Sequence, residues 1–545
     1  MPVVTFQRPD LCRLIGQDVP MERLAERMPQ IGGDLDRVEG EAITIEWFPD
    51  RPDLLTPEGT ARALRAFLDL APGMPGYPVD AARTELRVDP VVQAVRPHAA
   101  LCFVRGVPFD EGLVKAVVDA QEKLTLTMGR RRRKIAIGVH DASGVEGPFT
   151  YTAVGPDERP FVPLQADRAM TPAQIVASHP KGQEYGHLVP RDLFPVFLDG
   201  GGEVLSMPPV INARRTTVTA ATRDVLLDVT GTDAAAVRRT IALLATSLAE
   251  RGGRIEAVEV HDGSGTWTCP DLRPSERTLP TEDVQRLLGG PFDGDRIASC
   301  LRRMGHDAES YETQVLVRTP PWRFDILHPV DLMEDVAIGH GYGAFSGRMP
   351  RSPTVAEPLA HHALEERLRT ALTGLGWSEA RTLTLSNDAD QWGHWGEPAP
   401  PGVVRLRNPV LEEQTLLRRR VVPSLLRVLA ANRHRSLPQR LFEIGYIVEG
   451  AGAPRNRLRL GIVESATRAG FSDARGLAEA IVRDARLPLT LRPAERPGLV
   501  PGRQGAFVRD GEEVGHFGEL HPDVLVAFGL GAATVVVELD LEGLA

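Results

Sequence analysis

The stretch PPWRFDILHPVDLMEDVAIGHGYG, residues 320–343, contains the clearest local pattern in the chain. Pro329 suits the first turn of a helix and Gly339 suits its end, so the pattern predicts a short helix over about 330–338. Apolar residues recur on one side of this helix and are predicted to pack in a core: Leu332, Met333, Val336 and Ala337. The opposite face is acidic.

Four carboxylates can converge on that acidic face. Asp331, Glu334 and Asp335 are related by i, i+3 and i+4, and Asp325 can fold back onto them. Packed carboxylates repel one another unless a cation lies among them, and a ligand set of oxygen atoms alone suits Mg²⁺. The alternative is that acidic residues in a first helical turn only complement the positive end of the helix dipole. The spacing alone leaves both interpretations open.

The same stretch resembles a known family. The pattern P-x-x-R-x-D-I, followed by D-L-x-E-D-V and G-Y, is similar to the signature of the B5 domain in the β subunit of phenylalanyl-tRNA synthetases. In that family the matching acidic residues are Mg²⁺ ligands. The resemblance therefore implies a Mg²⁺ site at Asp325, Asp331, Glu334 and Asp335, and it favours the metal interpretation.

Length and composition limit the class of protein. A chain of 545 residues exceeds one hydrophobic core, so about three to five domains are expected. No apolar run approaches the roughly 18 residues of a membrane span, and MPVVTFQRPD lacks the features of a targeting peptide. We therefore expect a cytoplasmic protein without a membrane partner. The four cysteines lack the spacing of a zinc site or redox pair and are expected to be buried or incidental thiols.

The net charge of −10 argues against a protein whose whole surface binds nucleic acid. One local exception is the run of five cations from Arg130 to Lys134. A solvated charge run is the commoner explanation of such a block, but a phosphate backbone would also be attracted to it.

The first part of the chain, residues 1–78, ends in EWFPDRPDLLTPEGTARALRAFLDL. Apolar residues at helical spacing predict a helix here: Ala61, Leu64, Phe67 and Leu68. The segment is similar to N-R-P-D-L-L-S-x-E-G-x-A-R-A-L in the N-terminal B1 domain of the same family, with Asp50 replacing the first Asn and Thr56 the Ser. It has no recognisable catalytic set, so we interpret it as structural or as a contact surface.

The second part, residues 85–265, alternates apolar strands with helical runs and predicts a mixed α/β module. Three of its segments, KIAIGVHD, KGQEYGHL and residues 206–233, resemble the B3/B4 module of the family. The resemblance implies a domain that binds the aminoacylated end of tRNA and hydrolyses mischarged tyrosine.

Candidate residues for this hydrolysis are Ser206, Asn212, Asp228 and His140. Ser206 and Asn212 are predicted to shape the pocket and Asp228 to lie near it. The other polar side chains of these segments are Thr230, Thr232 and His187. Taken singly, each has an ordinary explanation: a turn amide, a loop-capping carboxylate or a hydrogen-bonded histidine.

The remaining parts are residues 270–345, which resemble B5, and residues 355–545, which resemble the B6/B7 region, a copy of the class II synthetase fold. No Walker, HExxH or G-x-S-x-G motif is present. The paired arginines of a class II active site are also missing, and Arg418–Arg420 are predicted to form an exposed helical edge or a contact with tRNA or a partner. Residues 387–402 are predicted to form a long surface loop.

The fold class expected from these segments is α+β multidomain: a B3/B4-like mixed α/β editing module, a small B5-like domain and a C-terminal degenerate class II synthetase-like antiparallel sheet with helices. The chain is identified as a member of the archaeal/eukaryotic type of the β-subunit family. The family implies a separate α subunit that binds phenylalanine and ATP, an α2β2 tetramer, and tRNA(Phe) as a further partner. Two alternatives are a stand-alone aminoacyl-tRNA deacylase and a non-catalytic tRNA-binding scaffold.

Overall fold

The structure, a computed structural model, describes residues 2–347, 349–351 and 354–544, with no description of the Ala360 side chain. The chain divides into two compact units, Met1–Met349 and Pro350–Ala545, and each is described by itself. None of the helices in the described residues has the length and apolar character needed to cross a bilayer.

The first unit begins with a three-stranded antiparallel sheet of order β1-β3-β2, covered by three helices. These elements are β1 (Val3–Gln7), α1 (Arg8–Ile15), α2 (Met21–Arg27), β2 (Gly33–Glu39), β3 (Ala42–Trp47) and α3 (Pro57–Phe67). Thr56 caps α3 by accepting a hydrogen bond from the Gly59 N–H group. The apolar face predicted for this helix is buried.

Two sheets form the middle of the first unit, with strand orders β11-β10-β9-β8-β5-β14-β15 and β4-β13-β6-β12-β7. The strands are β4 (Val79–Asp80), β5 (Glu85–Val88), β6 (His98–Arg105), β7 (Ile135–Asp141), β8 (Phe149–Val154), β9 (Phe194–Leu198), β10 (Val204–Met207), β11 (Ile211–Asn212), β12 (Val225–Gly231), β13 (Arg254–Glu256), β14 (Val258–Asp262) and β15 (Gly265–Cys269). The helices are α4 (Glu111–Leu126), α5 (Pro172–Ser178), α6 (Pro180–Tyr185) and α7 (Ala234–Ala249).

Strand β12 explains how this middle region is organised. Its sequence VLLDVTG is buried at every position, as expected for an apolar run in the interior of a sheet. It pairs antiparallel with β6 on one side and β7 on the other. The pairing on both sides fixes the position of Asp228 within the sheet.

The first unit ends in a small sheet of order β16-β18-β17 packed against helices. Its elements are β16 (Ser275–Pro280), α8 (Thr281–Leu288), α9 (Gly294–Arg303), β17 (Asp307–Tyr311), β18 (Gln314–Thr319) and α10 (Pro329–His340). The helix predicted over 330–338 is α10, and its apolar face is buried as expected. Gly339 does not end it: the cap is Gly341, and a Cβ atom at 339 would lie 2.4 Å from the Cys300 carbonyl oxygen on α9.

The second unit is built on a seven-stranded sheet of order β19-β22-β23-β27-β26-β25-β24, antiparallel apart from the β19–β22 pair. Its strands are β19 (Ser378–Glu379), β20 (Leu385–Ser386), β21 (Leu416–Leu417), β22 (Gln439–Glu449), β23 (Arg455–Ala466), β24 (Thr490–Pro493), β25 (Leu499–Arg509), β26 (Glu512–Leu520) and β27 (Ala533–Asp540). Its helices are α11 (Ala360–Gly374), α12 (Asp388–Gln391), α13 (Val422–Ala431), α14 (Phe471–Asp484) and α15 (Pro522–Phe528).

Both faces of this sheet are covered. Along β27, Val535 and Val537 pack in a core with α11 and α14, whereas Val536 packs in a second core with α13 and α15. This alternation is the two-residue period of a strand between two helical layers. The predicted antiparallel sheet with helices is therefore confirmed.

The segment 387–402 was predicted as a long surface loop, and this prediction is wrong. It contains α12, and Trp392 and Trp395 are buried, with the Trp395 indole N–H donating to the Asp390 carbonyl oxygen. Polar residues and prolines surround the two tryptophans in the sequence, but the segment forms a packed turn.

Candidate functional site

A cavity of about 270 Å³ opens in the first unit between α4, β7 and the β10–β11 hairpin. Its apolar wall consists of Val114, Val117, Val118, Ile137, Val139, Val210, Ile211 and Val218. Small-molecule sites typically measure roughly 300–1,000 Å³. The volume of this cavity therefore suits the side chain of an amino acid better than a nucleotide.

Asp228 supplies a carboxylate to this wall. Its Oδ2 atom lies 2.7 Å from His140 Nε2 and 3.3 Å from the Ser206 hydroxyl oxygen. Ser206 also lines the cavity, whereas His140 is fully buried behind it. With its proton on Nε2, His140 donates to Asp228, and its Nδ1 atom lies 2.8 Å from the Thr216 hydroxyl oxygen. The His140 and Ser206 side chains both contact Oδ2 of Asp228, and no described residue donates a hydrogen bond to Oδ1.

Gly138 makes the position of this carboxylate possible. It lies directly opposite Asp228 in the β7–β12 pair. A Cβ atom at 138 would lie 2.0 Å from Asp228 Oδ2 and 2.7 Å from His140 Nε2. We did not single out Gly138 or Thr216 from the sequence. A glycine inside a strand is a signal of close approach, but nothing in the sequence distinguishes Thr216 from its neighbours.

The other polar candidates occupy different positions. Asn212 lies opposite Ser206 across the β10–β11 pair and lines the cavity. Thr230 is fully buried outside the lining. Thr232 and His187 are exposed and also lie outside it. The structure therefore brings together Ser206, Asn212 and Asp228, with His140 in contact with Asp228 from behind.

In the acidic stretch, Arg323 already pairs with two of the four carboxylates. Its Nη2 atom lies 2.5 Å from Asp325 Oδ2 and 2.7 Å from Asp335 Oδ2. His306 Nε2 lies 2.6 Å from the same Asp335 oxygen. Burial would raise the pKa of Asp325, but the charge and hydrogen bonds of Arg323 outweigh burial and lower this pKa to about 2. Both carboxylates are therefore ionised at neutral pH.

Asp331 and Glu334 have different surroundings. Asp331 caps α10, because its Oδ2 accepts from two backbone N–H groups of the preceding turn, each at 2.7 Å. Glu334 is exposed, and its pKa is raised by partial desolvation and then by the nearby carboxylates of Asp335 and Asp50. Asp50, noted in the sequence only as a departure from the family motif, thus adds to the negative charge of this region.

This region suits a hard divalent cation in its chemistry. Its donors are carboxylate oxygens. Desolvation raises the pKa of Glu334, the repulsion of the neighbouring carboxylates raises it further, and a bound cation would relieve this repulsion. Among the described residues no cationic side chain pairs with Asp331 or Glu334, whereas Asp325 and Asp335 are paired with Arg323.

The spacing of the donors is looser than in a finished metal site. No three of the four carboxylates bring donor atoms within 4.8 Å of one another. Within the described residues, the group that does so is His361, His362 and Glu365, in the second unit. A cation at the acidic stretch would have to draw the carboxylates inward.

Arg418 is buried in the second unit, so the predicted exposed helical edge is wrong. Its Nη2 atom lies 2.7 Å from Glu443 Oε1, and both side chains are only 2% exposed. Arg419 and Arg420 are half-buried, and each is paired with a glutamate. All three lie in the connection between β21 and α13. Their guanidinium groups already form ion pairs with glutamates.

Three family models match consecutive parts of the chain. The "B3/4 domain" matches residues 111–260, the "tRNA synthetase B5 domain" matches 277–342, and the "Phenylalanyl tRNA synthetase beta chain CLM domain" matches 346–541.

Similar proteins span the whole chain. A phenylalanine–tRNA ligase beta subunit from Methanothrix thermoacetophila is 39% identical over 99% of this chain and 100% of its own length. One from Archaeoglobus fulgidus is 38% identical over 99% of this chain and 98% of its own length. Among solved structures, an N-terminal fragment of the phenylalanyl-tRNA synthetase beta subunit from Pyrococcus horikoshii is 34% identical, with a TM-score of 0.60; it covers 63% of this chain and is itself covered completely.

Proposed function

The chain belongs to the phenylalanine–tRNA ligase β-subunit family, and from this we propose that it works in an α2β2 assembly that forms phenylalanyl-tRNA(Phe) from ATP, phenylalanine and tRNA(Phe). ATP and phenylalanine bind on the partner α subunit. We propose four functional parts. Residues 1–78 form a structural or contact domain, and residues 85–265 form the editing domain. Residues 270–345 hold the metal, and residues 355–545 form a scaffold without catalytic motifs. The assembly acts in the cytoplasm, where its tRNA substrate is found.

The position of Arg418 supports a scaffold role for the second unit. A class II site needs arginines that are free to contact ATP and the amino acid. Arg418 instead donates to Glu443 and to the Tyr446 carbonyl oxygen, 3.0 Å away. A guanidinium that is buried and fully bonded cannot also bind phosphates.

We expect that the purified chain forms no phenylalanyl-tRNA(Phe) by itself. Adding an α chain that carries the missing arginines should produce charging, because the reacting groups would then be present. The measurement is incorporation of labelled phenylalanine into tRNA, together with native mass measurement of the assembly. Formation of phenylalanyl-tRNA(Phe) by this chain alone would contradict the proposed roles of the two subunits. Its formation by the α chain in the absence of this chain would contradict them as well.

Hydrolysis of Tyr-tRNA(Phe) is the second activity we propose, and the free Asp228 Oδ1 is the observation that carries it. An apolar pocket alone cannot strongly select an added hydroxyl group, whereas a buried acceptor can. Ser206 and His140 hold one oxygen of Asp228 in place. The other oxygen can accept a hydrogen bond from the phenolic O–H of tyrosine, which phenylalanine lacks. Correctly charged tRNA would therefore bind this pocket poorly.

In this mechanism, the cavity holds the tyrosyl ring while water attacks the ester carbonyl. The C–O bond to the terminal ribose breaks, and the ribose hydroxyl leaves with a proton from the attacking water. We assign the orientation of this water to Asn212 and Thr217, which are among the polar residues that line the cavity. His140 acts as a positioning residue, since it contacts Asp228 but does not line the cavity.

We also propose a Mg²⁺ site held by Asp325, Asp331, Glu334 and Asp335. The cation would neutralise the clustered carboxylates and so stabilise the end of the first unit around α10. This role is structural, and no step of either reaction depends on it.

The metal proposal predicts that Mg²⁺ stabilises the chain against unfolding. At about 100 times the dissociation constant, the free energy of unfolding should rise by about 2.7 kcal/mol. Glu334→Gln should weaken the affinity measured by calorimetry by about 10-fold, because one charged ligand is lost. Glu282→Gln, an exposed glutamate on α8, is the matched control and should leave binding unchanged. Equal Mg²⁺ affinity in all three proteins would refute the site.

A further inference from the structure

The cationic run from Arg130 to Lys134 forms an unusual left-handed turn between α4 and β7. Arg130, Arg131 and Arg132 have φ angles of 49°, 54° and 64°. Residues with a Cβ atom rarely adopt this conformation even singly, so three in succession must be held by the surrounding structure. The contacts that hold this turn, called here the arginine loop, are made mainly by two buried or half-buried arginines.

Arg132 anchors the loop to the wall of the cavity. Its Nη1 atom donates to the carbonyl oxygens of Pro209 and Val210, at 3.0 and 2.9 Å, and its guanidinium lies 4.1 Å from the centre of the Tyr185 ring. Arg132, Pro209 and Val210 all line the cavity. The loop is therefore attached to the edge of the candidate editing pocket.

Arg96 anchors the loop from beneath. Its Nη1 atom donates to the Arg132 carbonyl oxygen at 3.0 Å and to that of Arg133 at 3.4 Å. Its Nε and Nη2 atoms donate to the Thr230 hydroxyl and carbonyl oxygens. Burial lowers the pKa of Arg96 to about 10, so it stays charged at neutral pH. The loop thus rests on a buried cation bonded to the same strand that carries Asp228.

The remaining arginines of the loop face solvent, and no described acidic side chain balances their charge. Arg130, Arg131 and Arg133 are exposed, and no described residue gives their side chains a hydrogen bond or an ion pair. Lys134 differs, because its Nζ atom pairs with Asp233 at 3.1 Å. The three arginines line one shallow depression together with Lys134, Thr232 and Asp233.

We propose that the arginine loop binds the phosphate backbone of the acceptor end of tRNA and so delivers the aminoacyl group to the neighbouring cavity. This inference rests on the proposed editing function. The chain as a whole carries a charge of −10 and repels a polyanion, so a local cluster of free cations is needed at the place where the backbone approaches. Anchoring by Arg132 and Arg96 places the free arginines beside the pocket that the ester must reach.

The test uses the full-length chain with Arg130, Arg131 and Arg133 all changed to Gln, leaving both anchors intact. Binding of uncharged tRNA(Phe) transcript is followed by fluorescence anisotropy between about 50 and 200 mM salt. The quantity compared is the slope of the logarithm of the binding constant against the logarithm of the salt concentration. Each lost phosphate contact reduces the magnitude of this slope by about 0.7 for single-stranded RNA, so the triple variant should reduce it by about 2. The KM for hydrolysis of Tyr-tRNA(Phe) should rise by about 10-fold or more, with little change in kcat.

Two control variants complete the experiment. Changing the same three residues to Lys keeps the charge and should retain most of the slope. Changing Arg23, Arg83 and Arg254 to Gln removes the same charge from exposed sites elsewhere in the unit and should alter the slope far less.

An unchanged slope in the Arg-to-Gln loop variant would overturn the inference, as would an equal loss in the second control. Loss of α-subunit assembly with unchanged tRNA binding would also overturn it and would assign the loop to a protein partner. A wild-type chain that binds tRNA but hydrolyses no Tyr-tRNA(Phe) would refute the editing proposal, and the anisotropy result would still decide whether the loop binds RNA.

Discussion

Glu443→Ala is expected to destabilise the second unit by about 3–5 kcal/mol, because it leaves the Arg418 guanidinium buried without a counter-charge. Glu443 accepts from Arg418 at 2.7 Å with one oxygen and from the Thr382 hydroxyl at 2.5 Å with the other. Gly445 leaves room for this arrangement, since a Cβ atom there would lie 2.4 Å from Arg418 Nη2. Hydrogen exchange of β22 in the full-length chain measures the effect locally, so the two units need not unfold together.

A matched control separates burial from charge. Glu479→Ala removes a glutamate from an ion pair with Arg475 in the same unit, but these side chains are 52% and 62% exposed. Its effect should stay below about 1 kcal/mol. The double variant Arg418→Met/Glu443→Leu should lose less stability than Glu443→Ala, because it leaves no buried charge unpaired. An effect of Glu443→Ala as small as that of Glu479→Ala would disprove the buried-pair account.

The contrast between Arg418 and α10 explains how far the sequence alone could predict this structure. The start of α10 and its apolar face follow from local signals, a proline and a helical period within one segment, whereas Gly339 was wrongly taken as its end. Arg418 is buried against a partner that lies 25 residues further along the chain, on β22. A run of three arginines carries no local sign of such a partner, so the charge pattern was interpreted as exposed.

The same distinction applies to the editing pocket. Ser206, Asn212 and Asp228 were chosen because they occur in one module that resembles a known family, and this choice needed no knowledge of distances. His140 was a candidate on the same ground, but its contact with Asp228 could not be predicted, since only the β7–β12 pairing brings the two together. The inward position of Arg96 and Arg132 was equally hidden, because most of their hydrogen bonds go to backbone carbonyl groups, which look alike in every sequence.

Asp228→Ala is expected to lower kcat/KM for hydrolysis of Tyr-tRNA(Phe) by about 100-fold. A hydrogen bond to a charged acceptor contributes about 1.5–3 kcal/mol, and this one is made in a largely apolar cavity. The loss should be specific to tyrosine, so the low rate with Phe-tRNA(Phe) should change little. Formation of Phe-tRNA(Phe) by the assembly with the α subunit should also be preserved, because it takes place elsewhere.

Asp224→Ala is the matched control for this experiment. Asp224 lies immediately before β12, is half-buried, and bonds to Arg105 and the Gly106 N–H group rather than to the cavity. Its loss should leave hydrolysis close to wild type. Asp228→Asn tests the mechanism further: the amide keeps the shape of the side chain but removes the charge that holds the His140 Nε2 proton, so hydrolysis should still fall. If Asp228→Ala hydrolyses Tyr-tRNA(Phe) as fast as Asp224→Ala, the carboxylate does not select the phenolic hydroxyl and the proposed basis of editing fails.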